Sequence, residues 1–396
     1  MDDRRIWRVA GLVFGTMLSS TLLIPAVRSY VALRHGGQES VMHAFMSVNM
    51  LGAIIGAPLL SAFADRTGRR RLLAVTLLYV DGLLLLACAA PLPSALVLGI
   101  RALQGAANVA GLSLLLSAVR GSGPGHGKAM GMAGAAIIVA VACGSPLGTL
   151  LLSWSPLAPL WVGGALQLVV ATLALSVPMP TGSGASGNPF RLWQREPLLR
   201  LPTLWITAER FTVGCFVVSF ALYAHRVLAL SDAQTGLLYS WFLLPFALAT
   251  YPMGRLAERL DRAFLVSAGT MTYGVMFLLL GVVGKEALPL VLALAGLASA
   301  AIYAPSMCFA ASLAPEGSRA TAMALVNAGG SLGMLLGTAL AGIGSSLLLR
   351  LGHGPGEVYP LVFAGAGFVQ LVVLLGSSRG LRRLSNMDEA ERAQVL

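Results

Sequence analysis

The sequence predicts an all-α membrane protein, twelve transmembrane helices arranged as two pseudo-symmetric six-helix bundles. Three observations lead there. Of its 396 residues 57% are hydrophobic and only 11% charged, against about 25% charged in a soluble protein. The apolar residues gather in twelve windows, each near the roughly 20 residues that a helix needs to cross a hydrocarbon layer about 30 Å thick. A charged stretch after the second window returns 193 residues later, after the eighth.

The windows are 9–31, 41–64, 72–90, 95–119, 129–152, 158–177, 203–224, 235–256, 263–283, 288–312, 321–349 and 359–377. In lipid each must satisfy its own backbone hydrogen bonds, and runs so long and uniformly apolar lack the alternation of barrel strands, so each reads as a helix. The lead MDDRRIW precedes an apolar run longer than a signal-peptide core and without a small-x-small cleavage site. The first helix is therefore expected to be retained.

With the N-terminus inside, twenty Lys and Arg fall in cytoplasmic segments and five (Arg28, Arg34, Arg226, Lys285, Arg350) on the opposite face. By the positive-inside rule both termini are expected in the cytoplasm. Arg101 and Arg210 are left within the membrane. Between the sixth and seventh spans, TGSGASGNPFRLWQREPLLR passes from a Gly/Ser/Pro-rich stretch to a short amphipathic piece with Trp193 and three arginines. It reads as a linker lying on anionic headgroups. The expected organisation is a first bundle over 1–178, a linker over 179–202, a second bundle over 203–377 and a cytoplasmic tail over 378–396.

SAFADRTGR at 61–69 returns as GRLAERLDR at 254–262, pairing Asp65 with Glu258, Arg66 with Arg259 and Arg69 with Arg262. Gly144 and Gly337 keep the same offset. Two repeated six-span halves, with sites near the midplane where they meet, are the plan of many secondary transporters. Glycines four apart (Gly52 and Gly56, Gly144 and Gly148, Gly329, Gly333 and Gly337) let helix backbones approach closely,.

Asp81, Arg101, Glu209 and Arg210 lie within spans, where an unpaired charge costs about 3 kcal/mol on insertion scales. Arg101, Gln104 and Asn108, at i, i+3 and i+7, form one polar stripe, which reads as a cavity wall,. Glu209, Thr212 and Phe216 share a face in the same way. For Asp81 a structural hydrogen bond to span two or four and proton binding both stand open; for Glu209 a surface salt bridge and a functional role do. Ser299, Tyr303 and Ser306 line one side of a span that Pro305 loosens,. Asn49 and Asn327 fit interhelical hydrogen bonds.

The net charge of +11 lies in short loops, with no soluble domain to carry a nucleic-acid surface,. Cys88, Cys143, Cys215 and Cys308 fall singly in different spans, against a disulfide framework or metal cluster,. His35, His126, His225 and His353 lie in separate loops, and His43 alone begins the second span. Without a nucleotide-binding loop, metal spacing or nucleophile elbow, neither an enzyme nor a cofactor nor a metal is expected.

The stretch SAFADRTGRR resembles the signature loop between spans two and three of the major facilitator superfamily, of the form G-x-L-A-D-R-x-G-R-R. Asp65, Arg66, Gly68, Arg69 and Arg70 match, while Ser61 and Phe63 replace its glycine and leucine. RALQG in the fourth span matches the family's Arg-x-x-Gln-Gly element at Arg101, Gln104 and Gly105. GSPLGT in the fifth resembles the glycine-proline motif of the twelve-span proton-coupled drug antiporters, with Pro146 one position late and Thr149 for a glycine. APEGSRATAMALVNAGGSLG at 314–333 resembles the family's usual start of span eleven.

The resemblance implies a cytoplasmic latch in which Asp65 faces the positive N-terminus of span eleven near Arg319, with Arg66, Gly68, Arg69, Arg70 and their counterparts Glu258, Arg259 and Arg262 around it; a static lipid anchor is the plainer alternative. In the family spans one, four, seven and ten line the cavity, so Ser20, Thr21, Gln104, Asn108, Thr212, Phe216, Tyr303 and Ser306 become substrate candidates. Many drug antiporters carry an acid where Ser19, Ser20 and Thr21 stand. Coupling must then run through Arg101, Glu209 or Asp81. Gly105, Gly144, Pro146, Gly148, Gly333 and Gly337 are implied at helix interfaces. The function implied is proton-driven efflux of small lipophilic or amphipathic compounds by a monomer in the bacterial inner membrane. At roughly 150 mV one charge supplies about 3.5 kcal/mol. Sugar or metabolite export or symport is the alternative, and a membrane enzyme or receptor a remote one.

Overall fold

The computed structural model describes residues 3–36, 39–118, 126–177, 179, 188–230 and 232–393. Part of the expected linker, 180–187, and Arg120 lie outside the described residues. The described chain is helical, without strands. Helices α1 (Asp3–Thr21), α2 (Val27–His35), α3 (Glu39–Thr67), α4 (Arg70–Cys88), α5 (Ser94–Ser117), α6 (His126–Leu152) and α7 (Ala158–Ala174) precede a short surface helix, α8 (Pro189–Arg195). Then come α9 (Arg200–Arg226), α10 (Asp232–Arg259), α11 (Arg262–Leu280), α12 (Leu288–Leu313), α13 (Arg319–Arg350) and α14 (Pro355–Ala393).

One expectation needs correction. The first span is two helices, because the chain turns over Leu22–Ala26 around Pro25, whose ring cannot continue the ladder,. The last helix runs beyond 377 through Ala393. By length and apolarity alone, nine helices among the described residues can cross a membrane. The broken first span, the 17-residue α7 and α10, with Pro245 and Pro252 inside it, are not among the nine yet keep their places in the twelve-span order.

The chain divides into two compact units, one of residues 1–123, 136–197 and 311–328, the other of 124–135, 198–310 and 329–396. In the first, α3 lies along α5, α4 packs on α5 and α7, and α1 on α7. In the second, α11 packs on α14 and α14 on α9. Taking spans in order, three against six and one against six recur as nine against twelve and seven against twelve. The repeat seen in the charged loops therefore extends to the packing.

Small residues set these contacts, since apolar area alone gives helices no preference for each other over lipid. A side chain on Gly105 would begin 2.0 Å from the Asn49 carbonyl, so α3 can rest on α5 only where this residue is glycine. Gly144 meets Thr21 in the first unit, and 193 positions on in both partners Gly337 meets Gly214 in the second. Gly148 abuts Leu22, and Gly333 abuts Thr207. Pro146 is exposed on α6.

Local signals shape the helix ends. Asn188 caps α8 by accepting from the Phe190 and Arg191 amides, with Pro189 behind it,. Asp261 caps α11 through the Ala263 amide. Gly68, at φ +70°, makes the left-handed turn between α3 and α4 that other residues adopt with strain,.

Candidate functional site

The first unit holds a buried polar network among α1, α3, α4 and α5. Asp81, halfway along α4, is wholly buried (0% exposed), and Arg101, on α5, is 4% exposed. Burial of this kind needs partners for every polar atom. Asn108 Nδ2 donates to Asp81 Oδ2 at 2.7 Å, and Gln104 Nε2 donates to Oδ1. The Gln104 carbonyl in turn accepts from Arg101 Nη1 and from Asn49 Nδ2. Acid and base are thus joined through one amide, and no direct ion pair links them among the described residues.

Arg101 also lies over the Phe45 ring, its guanidinium carbon 4.4 Å from the centroid, and its Nε donates to the Phe45 carbonyl at 3.4 Å. A planar cation on an aromatic face gains about 2 kcal/mol or more when desolvated. The network reaches α1 through Asn108, which donates to Ser20 Oγ at 3.0 Å. The expected stripe of Arg101, Gln104 and Asn108 does share one face, and that face meets Asp81. The i, i+3, i+7 spacing made the stripe legible; that Asp81 was its partner depended on the rotation of α4 against α5.

In the second unit Glu209 is also 0% exposed. Ser299 Oγ donates to its Oε1 at 2.6 Å, and Arg210 Nε lies 3.3 Å from Oε2 without aiming a hydrogen at it, so this second contact is coulombic. Arg210 is 22% exposed. Its guanidinium sits over Tyr303 at 5.2 Å and Phe246 at 5.7 Å. The carboxylate is therefore buried, and the Arg210 guanidinium lies against two aromatic rings.

Other substrate candidates have partners of their own. Phe216 is enclosed by Phe220, Tyr239, Phe242 and Phe277. Thr212 accepts from Gln370 of α14 at 2.9 Å, and Thr21 donates to the Ala140 carbonyl on α6 at 3.1 Å. These three serve contacts within their own unit. Ser306 is buried in α12 near Tyr303 in sequence.

At the charged loop, Asp65 is buried and accepts three hydrogen bonds. Arg70 Nε donates to Oδ1 at 2.6 Å; the Thr321 amide and hydroxyl donate to Oδ2 at 2.8 and 2.6 Å. The Thr321 amide belongs to the first turn of α13, whose N–H groups have no partner within the helix. Arg66 and Arg69 are exposed, and Arg71 donates to the Leu175 carbonyl at the end of α7. The repeat is not matched in detail here. Glu258 and Arg259 are exposed at the end of α10, and Arg262 donates to the Ala257 carbonyl at 3.3 Å. In this second loop Asp261 caps α11 and accepts from Ser385 at 2.5 Å.

Sequence reasoning missed further polar contacts. Ser19 donates to Gln167 of α7 at 2.9 Å, and Tyr30 to the Cys88 carbonyl at 2.8 Å. The expected interhelical asparagines are both in such contacts, Asn327 with Ser113 at 3.0 Å and Asn49 as described. Among the described residues no group of His, Cys, Asp or Glu assembles as a metal site.

Charged groups buried within repeated helical units are the arrangement found in multi-pass secondary transporters. The comparisons with known proteins then give the family: residues 9–225 and 207–382 match the model of the Major Facilitator Superfamily, and the chain belongs to it. The solved structure of the human organic anion transporter MFSD10 (TETRAN) has the same fold, with a TM-score of 0.77 at 17% identity, covering 95% of this chain and 99% of that one. None of the curated proteins compared matches the chain.

Proposed function

We propose that this transporter couples proton influx to the efflux of small lipophilic or amphipathic compounds by alternating access. The observation that carries the reading is Asp81, a wholly buried carboxylate held by two amides and linked to Arg101 through Gln104. A proton carrier must gain and lose charge out of water, and an acid tied to a base by neutral groups can do so without leaving either stranded. Glu209 with Ser299 and Arg210 is the second candidate.

The Asp65–Thr321 contact supports a cytoplasmic latch, since a carboxylate on a helix N-terminus holds two elements by a bond that one movement breaks,. The proposal keeps a monomer in the bacterial inner membrane, both termini cytoplasmic, with bundles at 1–178 and 203–377, a linker at 179–202 lying on anionic lipid, and a tail at 378–396.

A second reading takes small organic anions or polyols as substrates. It is favoured by Arg210, part-exposed beside Tyr303 and Phe246, and is consistent with the structural neighbour's being an organic anion transporter. Transport of a compound panel into everted vesicles under an imposed pH gradient tests both. Acid-inside vesicles accumulating lipophilic compounds, with accumulation lost in Asp81→Asn and Arg101→Ala, supports the first. Accumulation of carboxylates alone, lost when Arg210 is changed to Gln, supports the second.

A further inference from the structure

We infer that Gln104 is the positioning residue that ties the placement of Arg101 to the charge of Asp81: when Asp81 takes up a proton, the Gln104 amide turns over and withdraws its oxygen from Arg101. The inference rests on the reading above in which Asp81 is the group that titrates.

The argument is one of donors and acceptors. A glutamine amide has one acceptor oxygen and one NH2. Arg101 can only donate, and Asn49 presents its NH2, so the Gln104 oxygen must face them both,. That leaves Nε2 to face Asp81 Oδ1, as it does. The other carboxylate oxygen meets the NH2 of Asn108. Every group aimed at Asp81 is therefore an N–H donor, the arrangement that suits an ionised carboxylate.

Adding a proton to Oδ1 creates an O–H bond that points at the Gln104 NH2, donor against donor. A half-turn of the amide about its last side-chain torsion, which is soft and two-fold, offers the O–H an acceptor. The same turn brings the Gln104 NH2 against Arg101 and Asn49, which also only donate there. Arg101 then keeps the Phe45 carbonyl and ring and loses its one side-chain acceptor. Loss of the proton from Asp81 reverses each step, and only the O–H bond is made and broken.

The surroundings leave few rivals for this role. Around Asp81 and Arg101, α2 contributes Tyr30 and α4 itself contributes Cys88. The facing parts of α1 and α3 contribute the neutral Ser20 and Asn49, and α7 contains no ionisable residue. An amide with two orientations is a two-state element that both sites bias, which is what coupling between them requires.

The test is infrared difference spectroscopy of the purified protein in lipid nanodiscs through a pH titration, which needs no substrate. The wild type is expected to show a carboxyl band growing as pH falls, absent in Asp81→Asn, accompanied by a guanidinium change absent in Arg101→Lys. In Gln104→Met, and in the shorter amide Gln104→Asn, the carboxyl band remains and the guanidinium change is lost. A guanidinium change that follows the carboxyl band in either variant as in the wild type overturns the inference. If neither variant yields folded protein, the wild type decides: a glutamine side-chain amide band that titrates with the carboxyl band supports the turn, and its constancy refutes it. A wild type with no carboxyl band sensitive to Asp81→Asn instead refutes the proton role of Asp81 itself.

Discussion

Replacing Asp65 with Ala removes three hydrogen bonds at once and leaves Arg70, itself 2% exposed, without its carboxylate. Breaking a buried pair by deleting one partner costs about 3–5 kcal/mol. At Thr321 the loss can be read locally, because its amide hydrogen is bonded to the carboxylate and to nothing within α13,. A hydrogen bond to a charged group contributes about 1.5–3 kcal/mol, so amide-exchange protection at Thr321 should fall by roughly ten- to hundredfold. Hydrogen–deuterium exchange with mass spectrometry over the first turn of α13 measures this, with a peptide from the middle of α11 as reference. Asp65→Asn keeps one acceptor oxygen and should lose less. Unchanged exchange at Thr321 in folded Asp65→Ala protein, or a loss spread equally over α11, would refute the reasoning.

Three further outcomes follow from the same geometry. Gly105→Ala places a Cβ 2.0 Å from the Asn49 carbonyl, a backbone atom that cannot swing aside, and should destabilise by about 1–3 kcal/mol as overpacking does,; Gly11→Ala, with nothing within 4 Å, should leave the thermal unfolding midpoint in nanodiscs unchanged. Glu209→Gln keeps an acceptor for Ser299 but removes the charge facing Arg210. It should express and unfold like the wild type while altering the pH-gradient dependence of vesicle transport, and an unaltered dependence would remove Glu209 from the coupling machinery. Ser385→Ala should loosen the start of α11 by freeing Asp261 Oδ2, seen as faster exchange there and unchanged exchange in the middle of α11.

The spans were legible because membrane insertion is decided by windows of composition, and one window is largely independent of the next. The turn at Leu22–Ala26 escaped, since its residues are as apolar as the helices around them and only Pro25 marks it. The stripe of Arg101, Gln104 and Asn108 was legible from helical spacing alone. Its partner was not, because nothing local distinguishes an Asp81 facing α5 from one facing α3. Thr212 and Phe216 share a face with Glu209, and the contacts they make, with Gln370 of α14 and with an aromatic cluster, could not be read from that spacing. The repeat aligned Glu258 with Asp65 by register, while Asp261, three residues further on, caps the N-terminus of α11.

The central claim is that Asp81 carries the coupling proton, and it is tested most directly by following proton movement and compound movement together in proteoliposomes holding a pH-sensitive dye. For wild-type protein the account predicts that transported compounds of the panel evoke proton flux in the opposite direction, and that Asp81→Asn abolishes this flux while purified protein still binds those compounds. Compound flux without proton movement in the wild type, or full proton movement in Asp81→Asn, would contradict it.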